Sequence, residues 1–166
     1  PHTELLDLQP LPVTALDEPK FELLFKFSHF NPIQTQLFHT LYHSDKNVLL
    51  GAPTGSGKTI VAEIAMFRVF RERPKAKVVY IAPMKALVRE RIGDWRIRFE
   101  KQLGKKVVEL TGDSAPDGRA IAEAAVIVTT PEKWDGVSRS WQTRNFVQDV
   151  ALIVIDELHL LGQPIH

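Results

Sequence analysis

Nine residues, Gly51 to Thr59, read Gly-Ala-Pro-Thr-Gly-Ser-Gly-Lys-Thr and constrain this chain more than any other stretch. A short apolar run, Asn47 to Leu50, leads into them as a buried strand, and Thr59 to Phe70 leaves them apolar on nearly every side, as a helix packed on a sheet. Strand, glycine loop and helix in that order let backbone N–H groups and a helix N-terminus face an anionic phosphate. Gly55 and Gly57 allow the turn without Cβ clashes. Ala52, Thr54, Gly55, Ser56 and Gly57 then line the cradle, Lys58 reaches β- and γ-phosphates, and the Thr59 hydroxyl ligates Mg²⁺. The plainer alternative is a glycine-rich turn before a core helix with an exposed lysine.

The rest of the chain repeats the same alternation. Apolar runs at Lys77 to Ile81, Val107 to Leu110, Ala125 to Val128 and Ala151 to Ile155 predict four further short strands. Helical stretches fall between them. Lys85 to Gln102 carries Val88, Ile92, Trp95 and Phe99 on one stripe, Pro116 to Ala124 reads as a short helix, and Pro131 opens another in its first turn. Before the loop, Phe21 to Phe30 predicts a short helix ended by Asn31-Pro32, and Ile33 to Tyr42 a helix with Ile33, Leu37 and Leu41 on one face. Proline-rich Pro1 to Lys20 reads as an extended lead-in packed on the domain or joining it to an earlier one. Wholly apolar short strands alternating with helices mean an α/β fold, a parallel sheet covered by helices on both faces. Ligands of such sheets bind at the carboxyl ends of the strands, and every motif singled out here directly follows a strand.

The last strand runs into Asp156-Glu157-Leu158-His159. A carboxylate at a strand tip holds Mg²⁺ opposite a triphosphate, which assigns Asp156 to the metal and leaves Glu157 to orient and deprotonate an attacking water. Acids also cap helices, so alone the two leave the question even. Paired with Lys58 and Thr59 on the right kind of strand, they point to nucleotide hydrolysis. His159 alone would be an ordinary histidine, and its place beside the acids makes it a candidate for the nucleotide site.

Composition bounds the partners. The net charge is +1, yet Arg68 to Lys106 holds 13 Lys/Arg against 4 Asp/Glu, an excess compatible with a polyanion or with solvated helix faces. No cysteine is present, so disulfides and thiolate metal sites are excluded. No apolar run is long enough to span a bilayer, which predicts a soluble intracellular protein.

Ala-Pro-Thr-Gly-Ser-Gly-Lys-Thr, Ala-Pro-Met-Lys-Ala-Leu, Thr-Gly-Asp, Thr-Thr-Pro-Glu-Lys-Trp-Asp and Asp-Glu-Leu-His, in this order, resemble motifs I, Ia, Ib, Ic and II of Ski2-like superfamily 2 helicases. Ala52, where the general pattern has glycine, matches the helicase variant of the loop. The resemblance runs from Phe27 to Gly162 and implies a RecA-like first lobe at 27–166 behind a connector at 1–26. It implies ATP and Mg²⁺ as cofactors, 3′-to-5′ unwinding by the parent protein, and a single strand of DNA or RNA as partner. Gln34 would read the adenine edge. Pro83, Lys85 and Ala86, then Thr111, Gly112 and Asp113, then Thr130, Pro131 and Glu132 would hold the strand, while Trp134 and Trp141 pack in the core. Further partners implied are a second RecA-like lobe, an adjacent cassette and complex subunits, with roles in DNA repair and at stalled ribosomes, in nucleus and cytoplasm. Competing readings are a non-helicase phosphoryl-transfer enzyme and a nucleotide-binding scaffold without turnover.

The resemblance also implies elements absent from these 166 residues. The family continues past Gly162 with a strand that lies between the phosphate-loop strand and the Asp-Glu strand, whereas Gln163 to His166 departs from its pattern. The expectation is a truncated sheet lacking its middle member, with exposed apolar edges and at most weak nucleotide binding. A missing arginine finger alone costs roughly 10³-fold or more in rate.

Overall fold

The computed structural model describes residues 9–51, 55–112, 116–139 and 144–157, the side chains at 55, 56 and 144 excepted. Five strands, β1 (Val48–Leu50), β2 (Lys77–Ile81), β3 (Val107–Leu110), β4 (Val126–Thr129) and β5 (Val150–Asp156), form one sheet in the order β1-β5-β2-β4-β3. Every pairing is parallel. The connecting helices are α1 (Pro19–Glu22), α2 (Pro32–His43), α3 (Gly55–Glu72), α4 (Lys85–Trp95), α5 (Gly118–Glu123), α6 (Pro131–Arg139) and α7 (Arg144–Gln148). The five strands and their parallel pairing match the sequence reading.

Strand alternation builds two apolar layers. Val78, Tyr80, Val126, Val128, Leu152 and Val154 pack into one core with α3 and α4. Val79, Ile81 and Ile127 belong to the other, where Leu110 and Phe146 are buried and Trp134, Val137 and Ile153 pack at its margin. Helix α3 is buried along Val61, Ala62, Ile64, Ala65, Met66, Phe67, Val69 and Phe70, which explains its lack of a polar face. Val88, Ile92, Trp95 and Phe99 are buried as their spacing predicts. The helix carrying them changes pitch, because Arg96–Lys101 is a π-helical segment. Gly104 ends it at φ 70°, where a Cβ would be strained.

Two expectations before the loop are corrected. Helix α1 covers only Pro19–Glu22; beyond it Phe30 is buried and Phe25 half-buried, while Phe27 is exposed with its ring against both. Phe21 stacks on Phe67 at 4.7 Å, Phe25 meets Phe67 edge-on at 5.8 Å, and the Phe30 N–H donates to the Leu11 carbonyl. A continuous helix could not direct these side chains to one core. The lead-in packs on the domain: Val13, Leu16, Phe21 and Leu24 are buried, and the Tyr42 hydroxyl donates to the Leu16 carbonyl at 2.6 Å.

Helix α2 forms, but it buries the adjacent stripe, one residue on, with only Leu41 of the expected set packed against the core. Gln34, Phe38 and Tyr42 face inward, whereas Ile33 is 61% and Leu37 40% exposed. Both stripes have the same spacing. The inner one wins because each of its polar atoms finds a partner, and Phe38 stacks near Phe30 and Tyr42.

The third correction concerns the sheet centre. Within these 166 residues strands β1 and β5 pair directly, Val48 with Val154, Leu49 with Ile155 and Leu50 with Asp156, where a gap was expected. The Ile153 N–H also donates to the Asn47 side chain at 2.8 Å. Exposed apolar surface is nonetheless present here, at Leu49 and Ile155.

The assignment of α2 faces is testable by urea unfolding of the 166-residue chain. Phe38→Ala is expected to cost about 3–5 kcal/mol. Leu37→Ala should cost under about 1 kcal/mol.

Candidate nucleotide site

Lys58 in the first turn of α3 and Asp156 at the end of β5 are 98 residues apart in the chain, and they meet. The Lys58 ammonium donates to Asp156 Oδ1 at 2.6 Å, with both side chains largely buried. The geometry follows from the sheet: β1 feeds α3, and β5 is the neighbour of β1. Asp156 shares the face of Leu152 and Val154, the face that α3 covers. Thr59, next to Lys58, is buried, and Glu157 is exposed with its N–H donating to the Leu50 carbonyl at 2.9 Å.

The other oxygen of Asp156 has a partner that sequence reasoning missed. The Tyr80 hydroxyl, in the middle of β2, donates to Asp156 Oδ2 at 2.6 Å. Burial first, and then the neighbouring carboxylate, push the Tyr80 pKa well above its ordinary value. The phenol therefore remains a donor at any physiological pH. A lone hydroxyl among valines and isoleucines, on the same strand face as the acid, was the available signal.

Gln34 lies under the loop and is buried, not on the helix surface. Its amide nitrogen donates to the Gly57 carbonyl at 3.1 Å. Its oxygen accepts from the Asn31 N–H at 2.9 Å, and the Asn31 side chain accepts from the Gln34 N–H at 2.8 Å. This reciprocal cap starts α2 and ties it to the loop. Among the described residues, one amide hydrogen and one lone pair of Gln34 have no partner and are available to a ligand.

Behind the site, Glu63 of α3 is buried and clamped. Arg98 donates to both of its oxygens at 2.7 Å, and Trp95 Nε1 adds a bond at 2.9 Å. Burial opposes the Arg98 charge, but the Glu63 bonds and charge more than offset it, so its pKa is raised.

The other candidates form a row along the same rim, after the adjacent strands β2, β4 and β3. Lys85, Ala86, Gly112, Pro131 and Glu132 are exposed and Pro83 is half-buried. A Cβ on Gly112 would lie 3.9 Å from Lys85 Nζ, which brings the loops after β2 and β3 together. Thr111 and Thr130 are turned inward; the Thr111 hydroxyl donates to Glu109 at 2.8 Å. Trp134 packs edge-on to Phe146, as core. Ala52, Thr54, Asp113, Trp141 and His159 lie outside the described residues, as do the side chains of Gly55 and Ser56.

Part of the basic excess lies elsewhere. Lys75, Lys77, Lys105 and Lys106 line a cavity of about 280 Å³ at the amino ends of β2, β3 and β4, with no motif residue in it. Burial lowers the Lys77 pKa, and its ammonium donates to the Ala122 and Ala124 carbonyls at 2.8 Å.

The oxygen donors suit a hard cation. Among the described residues no group of three His, Cys, Asp or Glu could enclose a metal, but a hydroxyl at Thr59 and a carboxylate at Asp156 are what Mg²⁺ takes when phosphates supply its other ligands. Lys58 and Tyr80 each take one lone pair of Asp156, so one remains on either oxygen for a metal. The site fits a magnesium nucleotide.

Comparison with known proteins agrees with this geometry. The family model described as DEAD/DEAH box helicase matches residues 31–164. Activating signal cointegrator 1 complex subunit 3 of Gallus gallus is 74% identical over 162 residues, 98% of this chain and 7% of that protein. The Homo sapiens protein of that name is 70% identical over 163 residues, again 98% and 7%. The RQC trigger complex helicase SLH1 of Saccharomyces cerevisiae is 58% identical over 160 residues, 96% of this chain and 8% of that protein. The chain thus spans less than a tenth of these relatives. The crystal structure of the DUF1998 helicase MrfA bound to DNA and AMPPNP shares the fold, with TM-score 0.68 and 18% identity over 90% of this chain and 22% of that one.

Two outcomes test the network behind the site. Breaking the clamp with Glu63→Ala should cost about 3–5 kcal/mol by thermal or urea unfolding, while the joint replacement Glu63→Met with Arg98→Met recovers most of it. Tyr80 holds its proton in the folded chain, whereas the unfolded chain releases it near pH 10. Its contribution is complete below about pH 10 and is lost as pH rises above that value. Stability measured by denaturant titration should fall above pH 10, less steeply in Tyr80→Phe.

Proposed function

Because this chain belongs to the DEAD/DEAH box helicase family, we propose that it is the ATP-binding lobe of a motor that moves along a single strand of DNA or RNA. Residues 27–166 would be the first RecA-like lobe and 1–26 its lead-in. The observation that carries the reading is the meeting of Lys58 with Asp156 at neighbouring strand tips. In a binding site these two groups part to opposite charges, the ammonium to β- and γ-phosphates and the carboxylate, with Thr59, to Mg²⁺. Mg²⁺ supplies charge neutralisation on the phosphates when bound. Glu157 stands exposed beside Asp156, where it takes a proton from water. Gln34 positions the loop through Gly57 and offers its remaining donor and acceptor to the adenine edge. His159 completes the assigned set, together with the cradle residues Ala52, Thr54, Gly55 and Ser56.

The row after β2, β3 and β4 would hold the strand. Its exposed groups include a lysine, backbone at loop and helix starts and small side chains, which suit phosphates and sugars without reading bases, whereas the exposed Glu132 carboxylate suits only a hydroxyl or amide donor. Binding of that kind is sequence-tolerant and salt-sensitive. A further lobe supplying arginines, complex subunits, 3′-to-5′ polarity, work in DNA repair and at stalled ribosomes, and residence in nucleus and cytoplasm follow as proposals from the relatives. No helix among the described residues is long and apolar enough to cross a membrane.

Nucleotide turnover of the full-length polypeptide, with and without single-stranded DNA or RNA, tests the proposal. Turnover should be stimulated by the strand, and Lys58→Ala should remove this lobe's nucleotide binding and its share of turnover. Glu157→Gln should retain binding and slow turnover by roughly 10²-fold or more. Unchanged nucleotide binding in Lys58→Ala would overturn the reading.

A further inference from the structure

Asp156 is a buried carboxylate whose two oxygens are treated differently. Oδ1 meets Lys58, a flexible cation on the loop helix, and Oδ2 meets Tyr80, a ring fixed inside the sheet layer. Lys58 has to leave Asp156 to serve phosphates. Tyr80 does not, since it is wholly buried at the centre of β2. We propose that Tyr80 is a positioning residue of the nucleotide site, holding the Asp156 carboxylate in the orientation from which it meets Mg²⁺ after Lys58 has turned to the phosphates.

Three features of the packing support this role, which rests on the nucleotide-site reading above. Strand register places Tyr80 opposite Val154, two residues before Asp156 on the same face, so the hydroxyl reaches toward the strand tip without bending either strand. The ring cannot swing aside, because Trp95 stands edge-on against it at 5.0 Å and 87°. Trp95 is fixed in turn by its bond to Glu63, which Arg98 grips from the π-helical segment. The phenol thus ends a buried line running from Arg98 through Glu63 and Trp95 to the strand tip.

A carboxylate that loses Lys58 while buried needs another donor until the metal arrives, and Tyr80 is that donor. Removing the hydroxyl takes from Oδ2 the donor that fixes its orientation, and the carboxylate is then free to rotate away. Partners behind a metal ligand typically change metal affinity by 10–100-fold when removed. The effect should fall on Mg²⁺ and spare the phosphate contacts of Lys58 and the loop.

The test uses the full-length polypeptide carrying this lobe, with Lys58→Ala defining the signal that belongs to this site. Binding of fluorescent ADP is titrated with Mg²⁺ and repeated in EDTA, and thermal unfolding is followed for each variant. Tyr80→Phe is expected to raise the Mg²⁺ midpoint by about 10-fold or more and to leave affinity in EDTA within about twofold. Phe146→Leu, which loosens the apolar layer on the other face of the sheet and touches neither Tyr80 nor Asp156, should lower the unfolding temperature and leave the midpoint near the wild-type value. Should Tyr80→Phe fail to fold, 3-fluorotyrosine installed at position 80 keeps the ring and alters donor strength, and the midpoint should still shift. An unmoved midpoint in these position-80 variants, or an equal shift in Phe146→Leu, overturns the positioning role. Absence of any Lys58-dependent ADP binding by the wild type would instead strike the nucleotide-site reading beneath it.

Discussion

A strand buried on both faces has room for polar chemistry only where it ends, and this constraint arranges the whole domain. The alternating side chains of β2, β4 and β5 fill two apolar layers, so Asp156, the loop before α3 and the row of loops after β2, β3 and β4 all emerge at one rim. A polar group set deeper costs free energy unless a partner is in place. Tyr80 meets that condition through Asp156, Lys77 through two carbonyls and Glu63 through Arg98 and Trp95. Each of these exceptions ties elements distant in sequence to one another.

Of these, the Glu63 clamp bears most on the site. It joins the middle of the loop helix α3 to the π-helical turn after α4, two elements that otherwise share only apolar surface. Trp95 and Phe99 stack at 5.5 Å across that wider turn, and Trp95 also abuts Tyr80. The position of α3, and with it Lys58, is therefore set by directional bonds as well as by packing. Apolar contact alone would let the helix slide.

The strands, and the placing of Lys58 and Asp156 at one site, were legible in the sequence because each leaves a local mark. Wholly apolar runs such as Val-Val-Tyr-Ile have few other uses, and a glycine loop ending in lysine and a strand ending in an acid both suit a bound nucleotide. The direct ion pair of Lys58 with Asp156 was not legible, since both groups were assigned to that nucleotide and not to each other. The inward face of α2 was not legible, since Ile33, Leu37 and Leu41 have the same spacing as Gln34, Phe38 and Tyr42. The polar atoms of the second set find partners in Gly57 and Leu16, residues far along the chain, and spacing carries no information about them. Phe21 to Phe30 misled for a related reason: an aromatic-rich run suits a helix or a string of inward turns, and the lead-in decided between them. Tyr80 read as ordinary core because its distinguishing contact depends on register between β2 and β5. The direct β1–β5 pairing likewise depends on hydrogen bonds that no local pattern encodes.

The contact between Lys58 and Asp156 has a consequence for selectivity. At rest the socket is already neutral within itself, so an uncharged molecule of the right shape gains nothing by intruding. Lys58 is drawn off only by a guest richer in negative charge than a single carboxylate, and the abandoned Asp156 then demands a cation in exchange. If the site binds a nucleotide as proposed, the lobe would thereby screen for visitors that bring both signs at once.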